Sequence, residues 1–269
     1  MGQVISIAKV TFKEGMRERI FLGVLIFVGF LLIGSGFVAD LSIGDILKVT
    51  QDIGLSGLSF LGLFISLFLS THLIAKDLDK KTIFLVISKP IARWQYLLGK
   101  FLGLCFLTTF ALFIGFFVFI ITLFYFWKTA NLFQIPHIAW YKHILAFIYL
   151  NLKMYLLVAI GIFFSSFSSS ALVAFFFSLF VYFIGSNLEN VKMILESKAG
   201  ENISSFIKGI FHLAYWLFPN LSLLDLKAVA VHNLPLDMSS LALRLIYGIF
   251  YTVALLLFAF FIFEKREFT

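Results

Sequence analysis

The chain has 269 residues, of which 61% are hydrophobic and 13% are charged, and its mean hydropathy is +1.04. Soluble domains are roughly half apolar, so this composition excludes a water-soluble globular protein and predicts an integral membrane protein. The net charge of +7 does not indicate nucleic-acid binding, because the basic residues form no single soluble patch. The single cysteine, Cys105, excludes an intrachain disulfide and a multi-cysteine metal site. The length leaves room for several membrane crossings but for no further folded domain, so residues 1–269 are expected to form one membrane domain.

The first predicted element is an amphipathic helix over residues 3–18. Its apolar residues recur at helical spacing beside a basic stripe; the apolar residues are Ile5, Ala8, Phe12 and Met16, and the basic ones are Lys9, Lys13 and Arg17. This pattern predicts a helix along the inner membrane surface, with its lysines facing lipid headgroups.

Six apolar runs follow, each able to supply the roughly 20 residues that one crossing requires. They are residues 20–38, 54–75, 101–127, 144–164, 171–187 and 243–263. The serine-rich turn at 165–170 makes the fourth and fifth crossings antiparallel neighbours. Residues 188–240 are mixed in character and predict short helices on the outer face or dipping into it. The fold is therefore expected to be all-α, a polytopic membrane protein with six transmembrane helices.

Lysine and arginine are concentrated in three segments: before the first crossing, in residues 76–100, and after the last crossing. An even number of crossings places these three segments on one side of the membrane. The positive-inside rule then predicts that both termini lie in the cytoplasm and that the protein is a multi-pass protein of the cytoplasmic (inner) membrane.

The most highly charged stretch, residues 76–100, joins the second and third crossings. Residues 82–87 could form a short helix with an apolar underside, and Pro90 would end it. Such a rigid, charged element would suit docking onto a cytoplasmic partner. A solvated basic loop that only sets topology is the alternative, and the residues alone slightly favour that loop.

The order of residues in this linker resembles that of permeases of the ABC-2 type, including the NosY-like permeases. An acidic start is followed by a threonine, an apolar run, a serine, a proline, an arginine and a Gly-Lys pair; here these are Asp77 and Asp79, Thr82, residues 85–87, Ser88, Pro90, Arg93, and Gly99 with Lys100. Residues 3–18 are similar to the elbow helix of that family, and the serine turn to its small cytoplasmic turn. The stretch from Phe218-Pro219-Asn220 to Asp225 resembles the outer segment of the family before the last crossing.

This resemblance implies a homodimer of six-helix permeases that works with two ABC ATPase subunits. It implies that the linker is the coupling segment, in which Asp77, Asp79, Lys80, Lys81, Thr82, Ser88, Pro90 and Arg93 contact the ATPase. ATP and magnesium would be bound by the partner, and this chain would carry no cofactor, metal or catalytic residue. The sequence has no G-x-x-x-x-G-K-[ST] phosphate loop, since Gly99-Lys100 is followed by Phe101. Its partners would be these ATPases, a second permease copy and membrane lipid, and its substrate a lipid, a drug or another amphiphile.

Two further features lie in or next to predicted crossings. Lys153, with Asn151 nearby, falls near the middle of the fourth crossing, where a charge marks a candidate translocation path. The alternative, slightly favoured, is that Lys153 snorkels to the outer interface, because no carboxylate lies inside a predicted crossing. Gly99 and Gly103 form a G-x-x-x-G pattern that permits close helix packing.

Two rival functions are weighed against the permease. Residues 54–57 match the G-x-S-G pattern of intramembrane serine proteases, with Ser56 as nucleophile. However, His72 lies at the other end of the same helix, about 24 Å away at 1.5 Å per residue. An ion-coupled carrier or channel usually needs carboxylates within the membrane, and the predicted crossings have none.

Overall fold

The computed structural model describes residues 2–40, 46–79, 92–129, 138–168, 170–197 and 203–266. This described part is helical throughout, and its helices are named here in chain order. They are α1 (Gly2–Arg17), α2 (Arg19–Asp40), α3 (Ile46–Asp79), α4 (Arg93–Thr129), α5 (Trp140–Phe167), α6 (Ala171–Glu196), α7 (Ser205–Leu217), a 3-10 turn (Leu221–Leu224), α8 (Lys227–Val231) and α9 (Met238–Lys265).

Five of these helices are long and apolar enough to cross a membrane. The spans are Leu47–Asp77, Arg93–Lys128, Trp140–Phe167, Ala171–Glu196 and Met238–Lys265, and a shorter apolar stretch, Phe21–Leu32, lies within α2. The prediction of an all-helical polytopic membrane protein is therefore confirmed.

Contacts between the helices give their relative directions. Gly57 of α3 faces Leu32 of α2, whereas Phe60 of α3 contacts Phe27 of α2, so α2 and α3 are antiparallel. On α4, Gly115 faces Leu58 and Phe119 faces Gly54, so α3 and α4 are also antiparallel. The pairs Gly62–Met154 and Ser70–Gly161 show that α3 and α5 run parallel. The helices therefore form one bundle with α3 and α5 at its centre.

The helices extend beyond the predicted crossings, and the extension is longest in α3, α4 and α6. The helix α3 begins at Ile46 and includes part of the predicted polar connector, because Gln51 is buried and its amide oxygen lies 3.2 Å from Nε2 of His143. The helix α4 begins at Arg93, inside the predicted linker, and the side chain of Gln95 accepts a hydrogen bond from the N–H of Ala92 at this start. The helix α6 continues to Glu196, well past residue 187. Packing against other helices thus accommodates polar residues that the sequence suggested were connectors.

Residues 203–240 fold back onto the bundle. In the 3-10 turn, Leu221 and Leu224 are fully buried, and Gly185 of α6 lies against the carbonyl of Pro219 so closely that no side chain fits there. Tyr149 of α5 donates a hydrogen bond to the carbonyl of Leu241 at 2.5 Å. This segment, called the outer segment below, is therefore anchored to the central helices.

Candidate coupling site

The ends of α3 and α4 that flank residues 80–91 are joined by a buried polar cluster. Oδ2 of Asp77, in the last turn of α3, accepts a hydrogen bond from the hydroxyl of Tyr96 at 2.7 Å and lies 2.7 Å from Nζ of Lys100. Tyr96 and Lys100 are 4% and 3% exposed. A carboxylate that accepts from both a hydroxyl and an ammonium satisfies charges that would be costly to bury alone. The two ends of the linker are therefore fixed to each other.

The helix α1 joins the same cluster through its acidic last turns. Nζ of Lys76 lies 2.6 Å from Oε1 of Glu18 and 3.2 Å from Oε1 of Glu14. Lys100 reaches Oε2 of Glu14 at 3.5 Å. These charges therefore connect α3 and α4 to the end of α1.

The other end of the linker is tied to the end of α9. The guanidinium of Arg93 donates to the carbonyls of Phe263, Glu264 and Arg266 at 3.1, 2.6 and 3.0 Å. The last carbonyls of a helix have no donors within the helix, and a cation placed there is favourable. The ring of Tyr96 also stacks on Phe263, with ring centres 5.9 Å apart. Arg93 thus links α4 directly to α9.

Arg266, at the end of α9, contacts the end of α5 in the same way as Arg93 contacts the end of α9. Its guanidinium donates to the carbonyls of Ser165, Ser166 and Ser168 at 3.0–3.2 Å, at the end of α5 and the turn into α6. Two arginines therefore connect α4, α9 and α5 in series. We name the two sets of contacts, the Asp77 cluster and the Arg93–Arg266 series, the coupling network.

The structure brings some of the predicted linker residues together and leaves others undescribed. Asp77 and Arg93 both belong to the coupling network, at opposite ends of the linker. Asp79 ends α3, and its side chain lies outside the described residues. The remaining predicted residues also lie outside the described residues: Lys80, Lys81, Thr82, Ser88 and Pro90.

Sequence reasoning missed the residues that hold the linker in place. These are Glu14, Glu18, Tyr96 and Arg266, whereas Lys100 is noted only as part of the Gly-Lys pair in the linker pattern. A signal existed on α1, because Glu14 and Glu18 are one helical turn apart and interrupt an otherwise basic segment. No local pattern identifies the partners of Arg93, which are 170–173 positions away in sequence.

Gly99 and Gly103 lie where α4 meets α1. A Cβ on Gly99 would come within 2.7 Å of Cβ of Ile7, and one on Gly103 within 2.6 Å of Cβ of Thr11. The two helices run parallel at this contact, and Gly15 of α1 meets Leu107 of α4 one turn further on. The short separation of α1 and α4 therefore depends on these glycines.

Lys153 is buried and paired, and its depth relative to the outer interface stays a prediction. The residue is 3% exposed, and its Nζ lies 3.0 Å from Oδ2 of Asp225 in the outer segment and 5.8 Å from the ring centre of Tyr182. The acidic partner comes from outside the predicted crossings, because the outer segment folds back against α5. Asn151 is 6% exposed, and its Oδ1 has no hydrogen-bond partner among the described residues.

The arrangement expected of a serine protease is not seen at Ser56. Ser56 is exposed and forms no hydrogen bond with a described histidine. Nε2 of His72 lies 3.9 Å from Oε2 of Glu18, while His143 is buried against Gln51. Across the described ranges, no group of three or more His, Cys, Asp or Glu side chains is arranged to hold a metal ion.

Comparison with known proteins identifies the family. The sequence profile described as ABC-2 family transporter protein matches residues 5–268, nearly the whole chain. The chain belongs to this family. The ABC-2 permease resemblance is thereby confirmed, and with it the role of a membrane subunit without an ATPase domain.

A relative in Stutzerimonas stutzeri, described as "Probable ABC transporter permease protein NosY", is 28% identical over 120 residues. That alignment covers 43% of this permease and 44% of the relative. The permease thus matches less than half the length of this curated relative, and the likeness to NosY is a distant one.

Proposed function

We propose that this ABC-2 family protein is the permease subunit of an ATP-driven transporter, which moves its substrate by alternating access while a separate ATPase supplies the energy. The coupling network is the observation that carries this proposal. It fixes both ends of residues 80–91 to helices on different sides of the bundle. A displacement of the linker by a partner would therefore move α1, α9 and α5 together.

Six crossings are the arrangement that these contacts favour. The cluster at Lys76 and Glu18 joins the start of α2 to the end of α3, so α2 must carry the chain to the opposite end of the bundle before α3 returns. The 22 residues of α2 extend about 33 Å at 1.5 Å per residue, enough for a hydrocarbon core of about 30 Å. We include α2 as the first crossing on this ground.

The coupling network also bears on orientation. It brings the N-terminal region, the linker ends and the end of α9 to one end of the bundle, which is also the end richest in lysine and arginine. By the positive-inside rule this end faces the cytoplasm. Both termini and the linker are then cytoplasmic, in the cytoplasmic membrane, where an ATPase can reach residues 76–100.

The partners that we propose rest on membership of the ABC-2 family, and this sequence has no phosphate loop. Two ATPase subunits would bind ATP and magnesium, and two copies of this permease would form the pathway.

We place lipids, drugs or other amphiphiles as the substrate class, since the apolar crossings offer few polar groups. Asn151 borders the proposed path, because a polar group of a substrate or water would satisfy its buried Oδ1. Lys153 borders it through its pair with Asp225, which would separate when the outer segment moves.

The experiment that tests this function uses the permease with the ATPase that copurifies from native membranes, reconstituted together in lipid nanodiscs. Replacing Arg93→Gln removes the guanidinium from the α9 carbonyls but leaves the apolar crossings unchanged. We expect normal insertion and assembly, with stimulation of ATP hydrolysis by the permease reduced roughly tenfold, within the range typical of coupling between sites. The hydrolysis rate with and without permease is the measurement.

Arg19→Gln is the matched control, because Arg19 is an exposed arginine at the start of α2. Its stimulation should equal that of the wild type. Equal stimulation by Arg93→Gln and wild type would contradict the coupling role. Failure to find any nucleotide-hydrolysing subunit bound to the permease would contradict the function itself.

A further inference from the structure

An open groove runs between α1 and α4 on the outside of the bundle. Its volume is about 720 Å³. Five side chains from each helix line it: Ile5, Ala8, Lys9, Phe12 and Lys13 from α1, and Leu102, Phe106, Thr109, Phe110 and Phe113 from α4. The rings of Phe12 and Phe110 meet edge to face across it, with centres 5.8 Å apart. The groove is independent of the coupling network, which lies on the acidic face of α1.

The apolar walls of this groove are open to the surroundings. Phe106 is 64% exposed and Phe113 is 60% exposed. The one hydroxyl among the lining residues, on Thr109, is already engaged with the carbonyl of Cys105 and the hydroxyl of Tyr155. Such walls suit a hydrocarbon chain and offer no hydrogen bonds to a polar ligand.

Two lysines stand at the rim of this apolar groove. Lys9 and Lys13 are exposed, are one helical turn apart, and form no ion pair or hydrogen bond with any described residue. The acidic residues of α1 are engaged elsewhere, since Glu14 and Glu18 pair with Lys76. These two ammonium groups can bind an anionic group, and the exposed phenylalanines beside them can bind an apolar one.

The length of α4 places this groove at the edge of a membrane leaflet. The 37 residues of α4 extend about 55 Å, well beyond a hydrocarbon core of about 30 Å. If this excess lies at the beginning of α4, beside α1, that beginning is at headgroup level and Phe113 is further into the leaflet. Charges at the rim and an apolar floor that continues inward match the two parts of a phospholipid.

The geometry points to a binding site for one anionic phospholipid in the groove between α1 and α4. The phosphate lies between the ammonium groups of Lys9 and Lys13, and an acyl chain packs along Phe106, Phe110 and Phe113. A bound lipid of this kind fills the space between α1 and the crossing that follows the linker. It would hold α1 against α4 together with the glycine contacts.

The test measures lipid contact inside the groove. In a Phe106→Trp variant reconstituted in nanodiscs, tryptophan fluorescence is quenched by brominated phosphatidylglycerol or by brominated phosphatidylcholine at equal mole fraction, and the signal of the wild-type tryptophans is subtracted. We expect phosphatidylglycerol to quench at much lower mole fraction. Adding Lys9→Gln and Lys13→Gln should weaken this preference roughly tenfold or more, because each basic residue near an anionic lipid contributes to binding.

Lys128→Gln with Lys265→Gln is the control pair, since both residues are exposed and lie outside the groove. Equal quenching by the two lipids, or an equal loss of preference in the control pair, would overturn the proposal. Competition by soluble glycerol phosphate as strong as that by the lipid would also overturn it, because the acyl chain would then be unnecessary. Lack of quenching by either lipid would also overturn the proposal, because no acyl chain would then reach the groove.

Discussion

At the scale of single residues, the pair of Lys153 and Asp225 is a charged contact between α5 and the outer segment. The ammonium of Lys153 is buried, whereas the carboxylate of Asp225 retains 26% exposure and has Lys227 at 3.8 Å as a second partner. Removing one member of a buried pair leaves the other without compensation. If Lys153 is replaced, Asp225 still has Lys227 as a partner. The loss of stability should therefore be smaller than for a fully buried carboxylate left without any partner.

We predict that Lys153→Met lowers the free energy of unfolding by about 1–3 kcal/mol, the cost of leaving a buried polar group without its partner. Thermal unfolding in detergent is the measurement. Lys128→Met, at an exposed lysine, should change little. The double variant Lys153→Met with Asp225→Asn should recover part of the loss, and no recovery would mean that the two residues do not act as a pair.

The same pair predicts a dependence of stability on pH. Burial raises the pKa of Asp225, but the charges of Lys153 and Lys227 outweigh this effect and hold the pKa below its ordinary value of 3.8. A carboxyl whose pKa is lower in the folded state stabilises the fold above its unfolded pKa, and this contribution is lost as the pH falls through the folded value. The melting temperature of the wild type should fall more than that of Asp225→Asn below about pH 4, and the difference between the two should be constant from pH 5 to pH 8. Parallel curves at low pH would contradict this assignment.

At the scale of helices, the close approach of α1 and α4 rests on the absence of side chains at two positions. A Cβ at Gly103 would lie 2.7 Å from the carbonyl oxygen of Ala8, a backbone atom that cannot move aside without moving α1. In α2, a Cβ at Gly23 would meet nothing within 4 Å. Gly103, which is packed against α1, can therefore be compared with Gly23, where an added methyl group would contact no other helix.

We predict that Gly103→Ala destabilises the protein by about 1–3 kcal/mol, the usual cost of overpacking. Gly23→Ala should be neutral or stabilising by about 0.5–1 kcal/mol, because alanine favours the helix. Unfolding of the purified variants in detergent compares them. Equal stability of the two variants would show that α1 adjusts to the added methyl group.

The extent of each helix explains what the sequence could predict. Long apolar runs identify the cores of the crossings, because burying hydrocarbon needs about 20 such residues in succession. The ends were less predictable: Gln51 and Lys100 look like connector residues, yet each is buried in a helix by a partner from another helix. The partner of Lys153 is 72 positions away. Such pairings depend on the folded bundle, and no local pattern encodes them.

At the scale of the whole molecule, the coupling network and the outer segment occupy opposite ends of the bundle. Lys265 and Arg266 close one end, and the turn at His232 and Asn233 belongs to the other. Cys105 is buried and is the only cysteine in the sequence. New cysteines at exposed positions can therefore report on each end without interference from the native thiol.

We predict that Lys265→Cys resists a membrane-impermeant maleimide in intact cells and reacts after the cells are opened, because we propose that its end of the bundle faces the cytoplasm. His232→Cys should react in intact cells. Labelling is read from the mass shift of the purified chain. The opposite pattern would reverse the proposed orientation, and wild type without added cysteines gives the background.

The carbonyls that receive Arg93 belong to residues 263–266, 170 or more positions later in the chain. During biosynthesis, these three carbonyls become available to Arg93 only after the ribosome has passed residue 266 and the last helix has been inserted. The end of the bundle that we propose as the docking end for an ATPase therefore gains these contacts only after the last helix has been made.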